Sequence, residues 1–303
     1  MRIGVSLADP TGPDPLTALA GQIREAAGDG FSSAWISNIF GLDALTALAV
    51  AGRDVPGIEL GTAVVPSYPR HPAVMAQQAI TASVALGGRL TLGIGLSHRI
   101  VIEDMYRYSF GRPARHMREY LAVLTPLLRG EPADAEGETV SGKIGLSVPG
   151  HSGRVPLLLA ALAPAMLKLA ATQADGTVLW MTGPATVRDY VVPALTAAAK
   201  EAGRQDPRVV CVLPVCVTDN PDLARTRADR IFAIYGQLPS YRAMLDREGA
   251  AGPADVAMVG DEATVRGQIE GLAEAGVTDY IAADFSRGDD APRTRALLKS
   301  VIR

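Results

Sequence analysis

Aromatic residues are scarce in this chain. Five Phe, two Trp and eight Tyr make up 5% of 303 residues. Apolar residues still reach 48%, so a core is available and must be aliphatic. Cysteine is rarer still. Cys211 and Cys216 are the only two, which excludes a disulfide-stapled fold. Both lie in the run VVCVLPVCV, where an odd separation along one strand points them to opposite faces and argues against pairing. They read as small core residues, and no metal site is expected. Charge of one sign is lacking too. Lys plus Arg number 29 and Asp plus Glu 32, a balance of -3 that offers no footprint for nucleic acid or an anionic membrane. No apolar run approaches the ~20 residues of a membrane span, and the start of the chain shows no basic segment leading into an apolar one. A cytoplasmic protein is expected.

Familiar catalytic motifs are also missing. The sequence has no HExxH, GxSxG or GxxxxGK[ST], and the adjacent carboxylates Glu103 and Asp104 would point apart on a helix. A chain with so few reactive side chains suits an enzyme whose cofactor carries the chemistry.

What is present is alternation. Apolar strand-like runs at Ile3–Leu7, Ala34–Ser37, Ile58–Val65, Leu90–Ile94, Pro156–Ala161, Thr177–Met181, Val209–Thr218 and Tyr280–Ala283 are separated by amphipathic helical stretches. Asp14-Pro15, His71-Pro72 and Asp261 mark helix starts, and Gly87-Gly88, Gly130 and Gly276 mark stops. A helix is predicted over Pro113–Leu128, a Gly- and Ser-rich excursion with room for a hairpin over 131–155, and a longer helical region over 221–248. The near-continuous apolar run at 209–218 suits a parallel strand buried on both faces. Eight β/α units without a linker predict an α/β fold, a (β/α)₈ TIM barrel with insertions, as one domain over residues 1–303. A doubly wound open sheet is the competing arrangement.

In a barrel the chemistry sits where strands end. Those positions here are Ala8-Asp9, 38–40, 65–68, 96–99, 161–163, 181–183, 218–220 and 284–286. Gly93-Ile94-Gly95 ends the fourth strand, but the third glycine of a dinucleotide fingerprint is replaced by His98. The pair is better read as allowing close backbone approach to a planar ligand. His98 alone among the four histidines directly follows a strand. It is either a proton-transfer group or an imidazole bound to a neighbouring loop. His71 reads as a helix cap, and His116, among Arg112, Arg115 and Arg118, as part of a solvated helix face. Tyr68 and Asp9 are further candidates at the same mouth.

Five segments in order resemble the luciferase-like flavin and deazaflavin oxidoreductases. They are GTAVVPSYPRHPAVMAQQA (61–79), GRLTLGIGLSH (88–98), RPARHMREYLAVLTPLLRG (112–130), ADGTVLWMTGPATV (174–187) and VGDEATVRGQIEGLAEAGVTDY (259–280). AWISNIFGLDALTALAVAG (34–52) and LPSYRAMLDREG (238–249) are similar to the branch that uses coenzyme F420. The resemblance implies hydride transfer between the deazaflavin C5 and a small organic substrate. The reaction would be reduction of an activated C=C or C=N bond, or alcohol oxidation. An FMN-dependent monooxygenase and a non-catalytic flavin-binding protein are the alternatives. It also implies a cis peptide at Thr62-Ala63 beneath the isoalloxazine, with Val64 and Val65 lining the ring and Asn38 facing its pyrimidine edge or the substrate. Gly95, Leu96 and Ser97 would border the cofactor tail. Ala161, Leu162 and Ala163 would meet the phosphate, and Met181 and Thr182 would form a second phosphate loop. The family's acid after the fourth strand is replaced by His98, the proposed catalytic proton donor here. Subunits are expected to pair as a homodimer through outer helices.

Overall fold

The computed structural model describes residues 1–151 and 153–302. Eight parallel strands form the barrel: β1 (Arg2–Ser6), β2 (Ser33–Ile36), β3 (Glu59–Thr62), β4 (Leu90–Gly95), β5 (Leu157–Leu159), β6 (Gly176–Trp180), β7 (Arg208–Val217) and β8 (Asp279–Asp284). Each pairs with the next in chain order. β1 pairs β8 in the register Arg2↔Asp279, so the ring is closed. This is the (β/α)₈ arrangement that the alternation predicts, and an open doubly wound sheet is excluded.

The helices are α1 (Pro15–Gly28), α2 (Ala44–Ala51), α3 (Pro72–Ala85), α4 (Pro113–Leu128), α5 (Pro164–Gln173), α6 (Val192–Glu201), α7 (Pro221–Gln237), α8 (Pro239–Glu248), α9 (Glu262–Glu274) and α10 (Asp290–Ser300). Side chains cap four of them at Asp14, Asp43, Asn220 and Asp261, each oxygen accepting a first-turn amide at 2.8–3.2 Å. His71 caps α3 through Nδ1, which accepts from Ala73 N at 3.2 Å. The helical stretch at 221–248 is two helices rather than one. Pro239 has no N–H and pushes Leu238 out of the helical region, to φ −79° and ψ 123°.

Three more features depart from the sequence reading, two short strands and a π-helical turn. Val65–Pro66 pairs β4 as a separate short strand, because the chain kinks after Thr62. Met258–Gly260 is a strand the alternation does not reveal; its three residues pair with the end of β7. The excursion carries the hairpin that the sequence leaves room for, Ala133–Ala135 antiparallel to Gly142–Ile144. A π-helical turn spans Ile100–Met105. Both cysteines are buried and free.

The barrel interior is filled in tiers. At the base, Arg2, Glu59, Arg208 and Asp279 form a ring of ion pairs. Arg2 Nε donates to Asp279 at 2.6 Å, and Arg208 reaches Glu59 at 3.0 Å and Asp279 at 2.9 Å. Above them Trp35, fully buried, packs with Leu158, Val178, Val210, Val212 and Ile281. Its indole donates to Ser33 Oγ at 2.8 Å. Gly61 makes room for it, since a Cβ there would overlap the Trp35 ring. This packed middle closes the lumen and leaves only the mouth for a ligand.

Candidate active site at the barrel mouth

The uppermost inward tier is small and open. Ala63, Val64, Ala160 and Ala283 are half-buried there. Gly95 is flush between two of them: a Cβ at Gly95 would lie 2.8 Å from Val64 Cγ2 and 3.2 Å from Ala160 Cβ. The result is a shallow bowl whose floor carries no charge. Its wall on the β3 side contains a cis peptide bond at Ala63-Val64, one residue later than the Thr62-Ala63 position implied by sequence. Thr62 fixes this kink. Its hydroxyl donates to Gly93 O and accepts from Gly93 N, both at 2.8 Å, in place of ladder bonds between β3 and β4. Ser37 Oγ donates to Ala63 O at 3.0 Å from the other side.

The remaining sequence-derived positions divide into two groups. Asn38, Leu96, Ser97, His98 and Leu162 are partly open at the mouth, and Ala163 is exposed. Thr62, Val65, Ala161, Met181 and Thr182 are buried. Val65 packs into the outer core, so it offers the mouth backbone only. Asn38 Oδ1 accepts from Ala44 N at 3.0 Å, which leaves its amide group free. Ser97 and Met181 hold φ of 61° and 51° at the ends of β4 and β6. Left-handed conformations at non-glycine residues cost energy and cluster where function fixes the backbone.

His98 follows β4 directly. Its ring lies 5.6 Å from that of Tyr241, tilted by 55°. Burial pushes its pKa below the ordinary value of 6.5, so the imidazole is neutral at pH 7. His116 is not on a solvated face. It is 7% exposed and stacks on Tyr68 with centroids 3.9 Å apart and planes within 5°. Its Nε2 meets Ser67 Oγ at 3.2 Å. The i, i+4 step to Tyr120 gives this inner face away; the neighbouring arginines Arg112 and Arg115 turn outward to Glu138. Burial raises the Tyr68 hydroxyl to about 12.

Two helix starts face the mouth, and one of them is open to an anion. The first turn of α5 is uncapped by any side chain, and Ala163 and Ala165 are exposed there. Leu162 O accepts the Tyr190 hydroxyl at 2.9 Å, and the Arg247 guanidinium lies 4.1 Å above the Tyr190 ring. The second start, Pro184–Thr186, is already filled by this chain. Glu248 accepts from Ala185 N at 3.0 Å and from Thr186 N at 2.7 Å. Gly183 leaves space for that carboxylate.

The pair α7–α8 lies over the mouth and brings residues the sequence pattern does not reveal. Trp180 at the end of β6 meets Phe232 at 5.8 Å and Tyr235 at 5.5 Å, both edge-on. Tyr235 meets Tyr241 at 5.3 Å. With His98 these rings form a continuous row. Phe232 and Tyr235 share one helical face at i, i+3 spacing, the one local signal that could have pointed to them.

The model of the family described as luciferase-like monooxygenase matches residues 1–279. A 5,10-methylenetetrahydromethanopterin reductase of Methanopyrus kandleri is 27% identical, over 88% of this chain and 89% of its own length. A putative coenzyme F420-dependent oxidoreductase of Mycobacterium tuberculosis is 27% identical over 78% of this chain and 72% of its own. The solved structure of the coenzyme F420 dependent tetrahydromethanopterin reductase from Methanopyrus kandleri superposes with a TM-score of 0.83 at 23% identity, covering 99% of this chain and 98% of that one. With a closed barrel, a kinked third strand and a bowl at its mouth, the chain belongs to the luciferase-like monooxygenase family.

Proposed function

We propose that this protein is an F420-dependent oxidoreductase that passes a hydride between the deazaflavin C5 and a small organic substrate. It would reduce an activated C=C or C=N bond or oxidise an alcohol. The observation that carries this reading is the uncharged bowl of Gly95, Ala160, Ala283 and the Ala63-Val64 bulge, a floor that a planar ring system can lie on. The names of the relatives favour a deazaflavin over FMN. When bound, the deazaflavin supplies the hydride donor or acceptor; the protein supplies position and a proton.

Each residue then has a task. Ala63 and Val64 support the ring face, with Thr62 and the Val65 backbone holding the kink. Asn38 offers its free amide group to the pyrimidine edge or the substrate. Gly95, Leu96 and Ser97 border the tail. Ala161, Leu162 and Ala163 take the phosphate at the start of α5, where Arg247 lends positive charge nearby. Met181 and Thr182 contribute the second loop through their backbone, its helix start being held by Glu248. His98 holds or gives the proton at the substrate.

The working unit in this reading is a one-domain subunit in a cytoplasmic homodimer with a small-molecule substrate. Exposed Val50, Val74 and Val84 on α2 and α3 support pairing through outer helices. No helix among the described residues is long and apolar enough to cross a membrane.

Titrating the protein with F420 and with FMN tests the proposal. Stoichiometric F420 binding without oxygen uptake is the expected result. Tight FMN binding with oxygen consumption would replace it with a monooxygenase. Bound cofactor without turnover of any hydride acceptor would leave a binding protein.

A further inference from the structure

The pair α7–α8 roofs the mouth, and one arginine in this roof lacks a counter-charge. Arg227, on the second turn of α7, forms no salt bridge among the described residues, and its Nη2 donates to Cys216 Sγ at 3.4 Å. Its guanidinium carbon stands 5.5 Å from the centre of the Phe285 ring. Neither contact neutralises it. Burial raises the Cys216 pKa, so the thiol is neutral and a weak acceptor. The neighbouring Asp284 carboxylate turns away to accept from Ser286 N at 2.8 Å. Arg70, Arg208 and Arg293, half-buried like Arg227, each carry a carboxylate. A charge partly withdrawn from water and left uncompensated is costly.

Phe285 places this guanidinium at the mouth. Two residues beyond Ala283 of the bowl, it continues the inward-facing side of β8. It meets Phe232 edge-on at 5.8 Å, and Phe232 in turn meets Trp180. The face of α7 that carries Arg227 is otherwise apolar. Ile231 and Ile234 follow it at i+4 and i+7, and they are 45% and 55% exposed. Ala228 and Phe232 turn to the core, and Gly236 turns to Pro253, which leaves the two isoleucines largely uncovered beside an unpaired positive charge.

We propose that Arg227 sets substrate specificity by binding the oxyanion, a carboxylate or a phosphate, of a small organic anion whose apolar body lies against Ile231 and Ile234. The assignment rests on the mouth being the active site, as proposed above, and deepens that reading by naming the charge of the substrate. A guanidinium presents a planar fork of N–H donors that matches either oxyanion. Arg227 stands over β7 and β8, whereas the phosphate of the cofactor is assigned to the start of α5, after β5. The two anions therefore have separate places.

Hexanoate, hexyl phosphate and hexanamide share one apolar chain and differ in charge. Calorimetry measures their binding, with and without F420, to the wild type, Arg227→Gln, Arg227→Lys and Arg24→Gln. The last removes the same charge from an exposed position on α1. In the wild type and in Arg24→Gln at least one of the two anions is expected to bind about tenfold or more tightly than hexanamide. The preference should vanish in Arg227→Gln and survive in part in Arg227→Lys, which keeps the charge and guards against a folding defect. Equal binding of all three ligands by the wild type, absence of binding by both anions, or a preference that persists in Arg227→Gln would overturn the site. F420 affinity, read from the deazaflavin's own fluorescence, should be unchanged in Arg227→Gln and in the presence of hexanoate. Displacement of F420 by the anion would give Arg227 to the cofactor and overturn the substrate assignment. Anion preference without F420 binding would sink the cofactor reading and leave the anion site standing.

Discussion

Glu248 and Thr186 are 62 residues apart in sequence, and a carboxylate oxygen of one accepts the amide of the other at 2.7 Å. The contact fastens the end of α8 to the loop after β6. It satisfies a helix start that would otherwise attract a ligand anion. Glu248→Ala should lower stability by about 1–2 kcal/mol, the usual range for a lost cap. It should also speed amide hydrogen exchange locally at 184–188 and along α8. Glu248→Gln retains an acceptor oxygen and should recover part of the loss. Exchange unchanged along α8 in the Ala variant would show that the roof does not depend on this contact.

His98 gives a signed pH prediction. Its pKa in the folded protein is lowered by burial, so the neutral form prevails above a midpoint below pH 6.5. If His98 donates the proton in the reducing direction, kcat/KM falls as pH rises through that midpoint. In the oxidising direction the neutral ring accepts a proton, and kcat/KM rises over the same interval. His98→Gln should abolish this limb and cost roughly 10²–10⁴-fold in turnover, with F420 affinity unchanged. A variant with wild-type turnover and the same pH profile would remove His98 from the reaction.

Gly95 tests the floor. Gly95→Ala places a methyl group 2.8 Å from Val64 Cγ2 at the surface of the bowl. The Kd for F420 should rise about tenfold or more, equivalent to ~1.4 kcal/mol, while the melting temperature shifts by only a few degrees. Unaltered affinity in a folded variant would place the ring elsewhere.

Asp279 sets the acid limit of the fold. Burial alone would raise its pKa, but hydrogen bonds and charge from Arg208, with Thr278 and Arg2, hold it below the usual 3.8. A carboxylate whose folded pKa is depressed stabilises the protein above its unfolded pKa. That contribution is lost as pH falls through the folded value. Asp279→Asn should therefore destabilise the protein at pH 7 and flatten the decline in stability below about pH 4. The expected cost is about 3 kcal/mol, mostly through Arg208. Arg2 is nearly half exposed and screened by solvent. Denaturant titrations of both proteins from pH 3 to pH 7 would check this, and parallel pH curves would refute it.

The barrel was legible because its signal is local. Short continuous apolar runs, buried on both faces, and caps such as Asp14 and Asp261 are written within a few residues, and all eight strands fall where the runs predict. Boundaries and kinks were less so: the cis bond lies one residue beyond its expected place, since its position depends on how Thr62 grips Gly93 across the sheet. The strand at Met258–Gly260 is too short for a period. His116 faces inward despite its charged neighbours in sequence, because it shares the i+4 face of Tyr120. The roof was the least legible part. Trp180, Tyr235 and Tyr241 come from three elements, and only folding brings them into one row. The cofactor positions follow from resemblance rather than from periodicity.

The ion pairs at the barrel base bear on how the chain is made. Arg2 is synthesised 277 residues before Asp279, yet Asp279 is both its ladder partner and its buried counter-charge. β1 can pair with β2 early, but its other edge waits until β8 has been synthesised. During that interval the nascent barrel is an open sheet with an unpaired edge, the kind of surface that invites wrong association. Translation speed and chaperone supply should therefore affect the yield of folded protein more than they affect its final stability.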